Sequence, residues 1–135
     1  MSDSTINGAV PVVPYRNPRA AIDWLERTFG AVPTLVVPPE ADQPLVHAEV
    51  KVGTGLVMID DADRADSPFA LPGPVVVYVT VDDPDALHDR AAAAGAEIVM
   101  GLTDQDYGSR DFAVRDPHGN VWSFGTYRPT VTAGY

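Results

Sequence analysis

An imidazole and a carboxylate stand two positions apart at His47 and Glu49. Side chains at this spacing lie on one face of a β-strand, so the two groups are predicted to lie close together. Such a pair can begin a divalent metal site that Asp60 or His118 would complete, or it can form an acid–base dyad in which Glu49 orients the imidazole. We favour a third interpretation, a polar pair that satisfies its own hydrogen bonds, because no nucleophile or oxyanion donor can be identified beside it.

Four aromatic side chains are candidates for a ligand-binding surface: Trp24, Tyr78, Tyr107 and Tyr127. Aromatic rings along a groove can stack on a planar ligand while their hydroxyls orient it. The structural alternatives are that Trp24 belongs to the core, Tyr127 covers the end of a sheet and Tyr107 anchors a loop. We favour the core interpretation for Trp24, and both interpretations stay open for Tyr78 and Tyr107.

The helices and strands that position these residues are predicted from the spacing of apolar side chains and from Gly, Pro and Asn at the ends of the elements. Asn17-Pro18 predicts a helix start, and Gly30 predicts its end. Ile22, Leu25 and Phe29 form the apolar stripe of that helix. The strands predicted for this half cover residues 8–15, 31–37, 45–52 and 56–60.

The second half repeats this order. Asp83-Pro84 caps a second helix and Gly95 closes it, as Asn17-Pro18 and Gly30 do in the first half. Strands are predicted at 75–81 and 97–102, followed by a closing hairpin. The sequence therefore predicts an α+β fold of two βαβββ modules, at 8–60 and 75–128, joined by a linker at 61–74 after a polar, disordered tail at 1–7.

Each module is expected to cover one sheet face with its helix and to leave the other face open as the candidate site. On the fifth strand the odd-numbered valines should pack on the helix. Trp122 and Phe124 should do the same on the last strand. The residues predicted to face the open side are His47, Glu49, Leu56, Met58, Asp60, Val76, Tyr78, Thr80, Val121, Ser123, Gly125 and Tyr127. His88 and His118 are expected to be solvated, and Arg110 and Asp111 to form a surface ion pair.

Composition narrows the class of partner. The chain has 135 residues, no cysteine and a formal net charge of −10. That charge opposes binding to nucleic acid or to an anionic membrane surface, and it suits a neutral or cationic ligand. The sequence shows no apolar run long enough for a membrane helix and no signal-peptide pattern, so we expect a cytoplasmic protein.

The closing hairpin carries the most specific motif. Asp116-Pro117-His118-Gly119-Asn120 predicts a tight turn in which Gly119 and Asn120 tolerate positive φ, and Val-Trp-Ser-Phe follows at 121–124. This motif resembles the glyoxalase/bleomycin resistance/extradiol dioxygenase group, the vicinal oxygen chelate superfamily. The Asp-Tyr-Gly-Ser-Arg lead-in at 106–110 and the ending at 122–127 resemble its bacterial PhnB-like subgroup. The resemblance implies a single domain over 1–135, with a curved mixed sheet around an open cleft, and a homodimer.

The resemblance also implies four positions for metal ligands. Metal-dependent members similar to glyoxalase I place His or Glu at positions that correspond to Val10, Met58, Val76 and Ser123. None of these side chains offers a carboxylate or an imidazole for a divalent ion. We therefore expect no metal, no other cofactor and none of the metal-assisted reactions of the superfamily.

The function that this combination favours is binding without catalysis. Like bleomycin resistance proteins, the chain is expected to sequester an aromatic or cationic antibiotic-like natural product in a cleft at a homodimer interface, which would confer drug resistance. The alternatives are a glyoxalase-like lyase or isomerase that uses His47 and Glu49, with or without a metal, and a protein that binds another chain. The expected ligand-binding residues are His47, Glu49, Met58, Asp60, Val76, Tyr78, Tyr107, Ser123 and Tyr127.

Overall fold

Both helices begin at the Asx-Pro pairs, as predicted. The side chains of Asn17 and Asp83 each accept a hydrogen bond from the backbone N–H three residues later. The proline that follows each cap begins the helix, where its missing N–H costs no intrahelical hydrogen bond. Helix α1 spans Pro18–Phe29 and helix α2 spans Pro84–Ala93.

The computed structural model describes residues 10–63 and 74–128. The predicted tail at 1–7 and most of the predicted linker at 61–74 lie outside the described residues. The chain divides into two compact units, residues 1–75 and 76–135. In the described part, no helix is both long enough and apolar enough to span a membrane.

The first unit contains α1 and a four-stranded mixed sheet in the order β1-β4-β3-β2. Strand β1 runs parallel to β4, and the other neighbours are antiparallel. The strands are β1 (Val12–Tyr15), β2 (Val32–Val37), β3 (His47–Val52) and β4 (Gly55–Asp61).

The second unit contains α2 and a sheet in the corresponding order, β5-β8-β7-β6. Again the first strand is parallel to the last, and the remaining pairs are antiparallel. The strands are β5 (Val76–Thr80), β6 (Glu97–Asp104), β7 (Arg110–Arg115) and β8 (Val121–Gly125). The two units share one strand order, so the predicted repeat of a βαβββ arrangement and the α+β fold class are confirmed.

Alternation along the strands separates a buried face from a more exposed face in each sheet. On β3, Ala48 and Val50 are fully buried, whereas His47 and Glu49 are half-buried. Helix α1 packs on this sheet, and its apolar stripe is buried. The face that bears His47 and Glu49 therefore points away from the helix, and we call it, and its counterpart in the second sheet, the open face.

The second sheet shows the same alternation. On β5, Val77 and Val79 are only 8% and 9% exposed. Val76, whose side chain points to the opposite face, is 73% exposed. Trp122 and Phe124 are buried, as predicted. The core of this unit therefore lies between α2 and the sheet, and the open face carries the alternate residues of β5 and β8.

The turn between β7 and β8 is organised by a buried carboxylate. Asp116 accepts hydrogen bonds from the backbone N–H groups of His118 and Asn120, from the Asn120 amide and from Trp122 Nε1. Gly119 has a positive φ of 97°, but Asn120 does not. The prediction of positive φ at Asn120 is therefore wrong: this residue belongs to the turn because its side chain binds Asp116.

The prediction that His88 is solvated is also wrong. Its side chain is only 24% exposed. Its ring packs edge-to-face against Phe112, with the centroids 5.4 Å apart. Phe112 is fully buried, so His88 lies on the side of α2 that faces the sheet.

Candidate functional site

The first candidate is the His47 cluster, which consists of His47, Glu49 and Asp60 on the open face of the first sheet. His47 Nδ1 lies 3.1 Å from Asp60 Oδ1, and His47 Nε2 lies 3.2 Å from Glu49 Oε2. Strands β3 and β4 are antiparallel neighbours with Glu49 opposite Met58. The three side chains therefore lie together, and the imidazole contacts both carboxylates.

The cluster favours a protonated imidazole. Partial burial by itself lowers the pKa of His47, but the hydrogen bonds from Asp60 and Glu49 and their negative charges raise it. The net result is a pKa above the ordinary value of 6.5. At mildly acidic pH the cluster is thus an imidazolium held between two carboxylates.

The same geometry is poor for binding a metal ion. The two ring nitrogens of an imidazole point away from each other, and in His47 each is occupied by a different carboxylate. A metal needs one free nitrogen lone pair and carboxylates that converge on the same point. Within residues 10–63 and 74–128, no three His, Asp or Glu side chains are placed to hold a metal.

The four positions at which the resemblance implied metal ligands also do not fit a metal. Val10 precedes β1, and Met58 lies opposite Val12 in the β1–β4 register. Val76 lies on β5 and Ser123 on β8, opposite Tyr78. Their side chains provide two alkyl groups, a thioether and a neutral hydroxyl. These are not the carboxylate and imidazole donors of a divalent metal site.

The second candidate is the tyrosine cluster, which consists of Tyr78, Tyr107 and Tyr127 in the second unit. The Tyr127 ring centroid lies 6.4 Å from that of Tyr78 and 6.0 Å from that of Tyr107, both edge-to-face. Tyr78 is 37% exposed, Tyr107 is 61% exposed and Tyr127 is 50% exposed. The structure therefore brings together three of the four aromatic residues that the sequence identified.

Two of the three hydroxyl groups in this cluster bind the protein itself. Tyr78 donates to the Tyr127 carbonyl at 2.7 Å, and Tyr107 donates to Asp111 Oδ2 at 3.0 Å. Burial raises the pKa of Tyr78, and the hydrogen bond to Asp111 raises that of Tyr107. Both phenols are therefore neutral at physiological pH, and their rings are held in place.

Asp111 lies beneath the tyrosine cluster and was not identified as a site residue from the sequence. Asp111 is only 4% exposed. Its Oδ1 accepts a hydrogen bond from the Ser109 hydroxyl, while its Oδ2 accepts the one from Tyr107. The hydroxyl of Ser109 also accepts the Tyr127 backbone N–H at 3.0 Å. A Cβ atom at Gly125, opposite Asp111 in the β7–β8 register, would overlap the Asp111 carboxylate. The absence of a side chain at Gly125 makes room for this carboxylate.

The predicted ion pair between Arg110 and Asp111 is wrong. Successive strand residues point to opposite faces of a sheet. Arg110 instead binds Asp85 at 2.7 Å and Asp104 at 3.0 Å. The sequence signal was the prediction that Phe124 faces the core and Gly125 the open side: Asp111 pairs with Gly125 and Phe112 with Phe124, so Asp111 lies on the open face.

Trp24 was predicted to belong to the core, but it lies at the edge of the core. It is half-buried on α1. Its ring packs edge-to-face on Phe29 with the centroids 5.2 Å apart. It therefore supports the packing of the first unit.

Comparisons with known proteins agree with this architecture. Residues 8–124 match the model of the Glyoxalase family, described as the glyoxalase/bleomycin resistance protein/dioxygenase superfamily. The uncharacterized protein Mb0911c of Mycobacterium bovis is 38% identical over 113 residues, which cover 78% of this chain and 74% of that protein.

Solved structures show the same fold. The crystal structure of TioX from Micromonospora sp. ML1 superposes with a TM-score of 0.74 and 34% identity, covering 87% of this chain and 98% of TioX. A glyoxalase/bleomycin resistance protein from Catenulispora acidiphila DSM 44928 superposes with a TM-score of 0.63 and 25% identity, covering 87% of this chain and 95% of that one. By its repeated βαβββ fold and its match over residues 8–124, the chain belongs to the glyoxalase/bleomycin resistance protein/dioxygenase superfamily.

Proposed function

We propose that this chain is a metal-independent binding protein that sequesters an aromatic or cationic, antibiotic-like natural product and so keeps it from its target. The observation that carries this proposal is the tyrosine cluster. Its three exposed rings form a preorganised apolar surface, because two of their hydroxyls are engaged within the protein. Rigid aromatic surfaces bind ligands with little loss of side-chain entropy.

The His47 cluster supports the same proposal from the other unit. The carboxylates that flank His47 offer acceptor oxygens to a polar ligand, and Met58 adds an apolar surface beside Glu49. The net charge of −10 favours a cationic ligand over an anionic one. The absence of cysteine fits a role in the reducing cytoplasm.

We further propose that the protein acts as a homodimer with the ligand at the subunit interface. Several large apolar side chains are exposed, and burying them against a second copy would remove them from water. They include Val32, Leu35 and Val37 on β2 and Val76 on β5.

Native mass spectrometry of the untagged protein, purified without chelator, tests this proposal in one measurement. We expect a dimer without bound metal, with a retained small molecule or with saturable binding in a subsequent screen of aromatic and cationic antibiotics. Recovery of the bound compound unchanged after prolonged incubation would support sequestration. A stoichiometric metal, or conversion of the bound compound to a product, would contradict it.

The second candidate function is a glyoxalase-like lyase or isomerase, and the His47 cluster is the observation that favours it. Both carboxylates orient the imidazole, as they would for a general acid or base. Turnover by the wild type that is lost in His47→Ala, while the thermal midpoint is retained, would favour the enzyme. Equal ligand affinity and no turnover in either protein would favour binding alone.

A further inference from the structure

We infer that the tyrosine cluster, with Asp111 beneath it, is the binding site for the positively charged group of an organic cation. This inference rests on the proposed function and deepens it, because it replaces "aromatic or cationic" with one ligand class and one location. The location is the open face of the second unit.

The first support is the chemistry of the groups that surround the carboxylate of Asp111. Asp111 is 4% exposed, and its oxygens accept hydrogen bonds from the neutral hydroxyls of Ser109 and Tyr107. Among residues 10–63 and 74–128, no Arg, Lys or His forms an ion pair with it. A carboxylate whose hydrogen-bond partners are all neutral is not paired with a cation of the protein, so a cation from outside can supply that partner.

The second support is the position of the nearest basic residue in the sequence. Arg110 points to the other side of the strand, where its guanidinium binds Asp85 and Asp104. Both of these carboxylates lie close enough to hold it there, at 2.7 Å and 3.0 Å. The adjacent cation is therefore already bound elsewhere and does not pair with Asp111.

The third support is the aromatic wall. The faces of tyrosine rings carry negative electrostatic potential and attract ammonium and guanidinium groups within about 6 Å of the ring centroid. The Tyr127 ring lies 6.4 Å and 6.0 Å from the Tyr78 and Tyr107 rings. Tyr78 and Tyr107 direct their hydroxyls inward, to the Tyr127 carbonyl and to Asp111. The ligand would thus meet ring carbons, which suits a methylated or alkylated ammonium better than a strongly hydrated one.

A matched pair of small probes tests the inference: choline and its neutral carbon isostere, in which a tert-butyl group replaces the trimethylammonium group. The two have nearly equal size and apolar area and differ in charge. We expect choline to shift the ring proton resonances of the tyrosine cluster in an NMR titration, and the isostere to bind at least about tenfold more weakly. Equal binding of both probes, or no binding of choline to the wild type, would overturn the inference.

Substitutions localise the effect. Tyr127→Leu removes a ring and is expected to weaken choline binding about three- to tenfold, whereas Tyr127→Phe keeps the ring and should retain affinity within about twofold. Asp111→Asn keeps the shape of the side chain without its charge and should also weaken binding. Asp89→Asn is the control: it makes the same change of net charge on the exposed side of α2, and it should leave choline binding unchanged. Circular dichroism and thermal midpoints establish that each variant folds, and unchanged affinity in folded Tyr127→Leu would contradict the inference.

The outcomes separate this inference from the proposed function. If the protein retains a natural product that carries no positive charge, and Tyr127→Leu does not alter its binding, the cation site is wrong while sequestration stands. If choline binds as expected but native mass spectrometry and the antibiotic screen find an enzyme product, sequestration is wrong while the cation site stands.

Discussion

Replacing Asp116 by alanine should be the most damaging single change in the closing hairpin. The carboxylate is 3% exposed and accepts at least four hydrogen bonds, three of them from groups on Asn120 and Trp122, which are 1% and 0% exposed. The fourth comes from the partly buried backbone N–H of His118. The variant removes the acceptor from all of these donors at once.

The magnitude follows from the burial of the donors. A buried donor that loses its partner costs about 1–3 kcal/mol, and rearrangement of the turn would recover part of that cost. For the three buried donors we therefore expect the free energy of unfolding to fall by about 3–5 kcal/mol. Asp116→Asn keeps one acceptor oxygen but places an amide N–H₂ towards the remaining donors, so its cost should be smaller, about 1–2 kcal/mol.

Urea unfolding followed by circular dichroism measures these differences. Asp42→Ala serves as the matched control, since it makes the same substitution at an exposed position and should change stability by no more than about 0.5 kcal/mol. The indole Nε1 proton of Trp122 gives a local readout. Its hydrogen exchange with solvent should be faster in Asp116→Ala, because the proton loses its acceptor. If Asp116→Ala and Asp42→Ala unfold at the same urea concentration, the carboxylate does not stabilise the turn as argued.

Three further changes test other parts of the structure. His47 has a folded-state pKa above 6.5, so its interactions should stabilise the wild type relative to His47→Gln fully below pH 6.5, and the difference should shrink as pH rises through the folded-state pKa. A stability difference that grows with pH would contradict this assignment. Gly125→Ala should destabilise by about 1–3 kcal/mol because its methyl group overlaps the Asp111 carboxylate. Its control is Gly101→Ala, where nothing lies within 4 Å of the added atom, and equal thermal midpoints for the two variants would refute the clash. Asn17→Ala should cost about 1 kcal/mol by removing the α1 cap, and a chemical denaturation midpoint equal to that of the wild type would show that the cap is dispensable.

Much of the fold was predictable because its signals are local. The Asx-Pro pairs mark the start of each helix, since an Asx side chain accepts the free N–H groups and proline needs no acceptor there. Period-two alternation correctly placed Ala48 and Val50 on the buried face of β3. The same rule correctly placed Trp122 and Phe124 in the core of the second unit.

The candidate site was only partly predictable because it depends on which strands are neighbours. His47 and Glu49 are close in the sequence, so their proximity followed from strand geometry alone. Asp60 comes to the imidazole only through the antiparallel pairing of β3 with β4, in which the register aligns Glu49 with Met58. The errors at Arg110 and His88 have one origin, since each required knowing what lies across a neighbouring strand or helix. The error at Asn120 is local, because its side chain binds Asp116 within the same turn.

The amino-acid sequence by itself determined the repeated βαβββ order, the helix boundaries and the division of each strand into a buried and an exposed side. These properties depend on backbone capping and on periodicity, which act over a few residues. The tertiary structure alone decided that Asp111 lies beneath Tyr107, beside a glycine from the next strand, with no cationic partner among the described residues. That arrangement depends on strand register, which joins residues far apart in the chain and sets the charge and shape of the site.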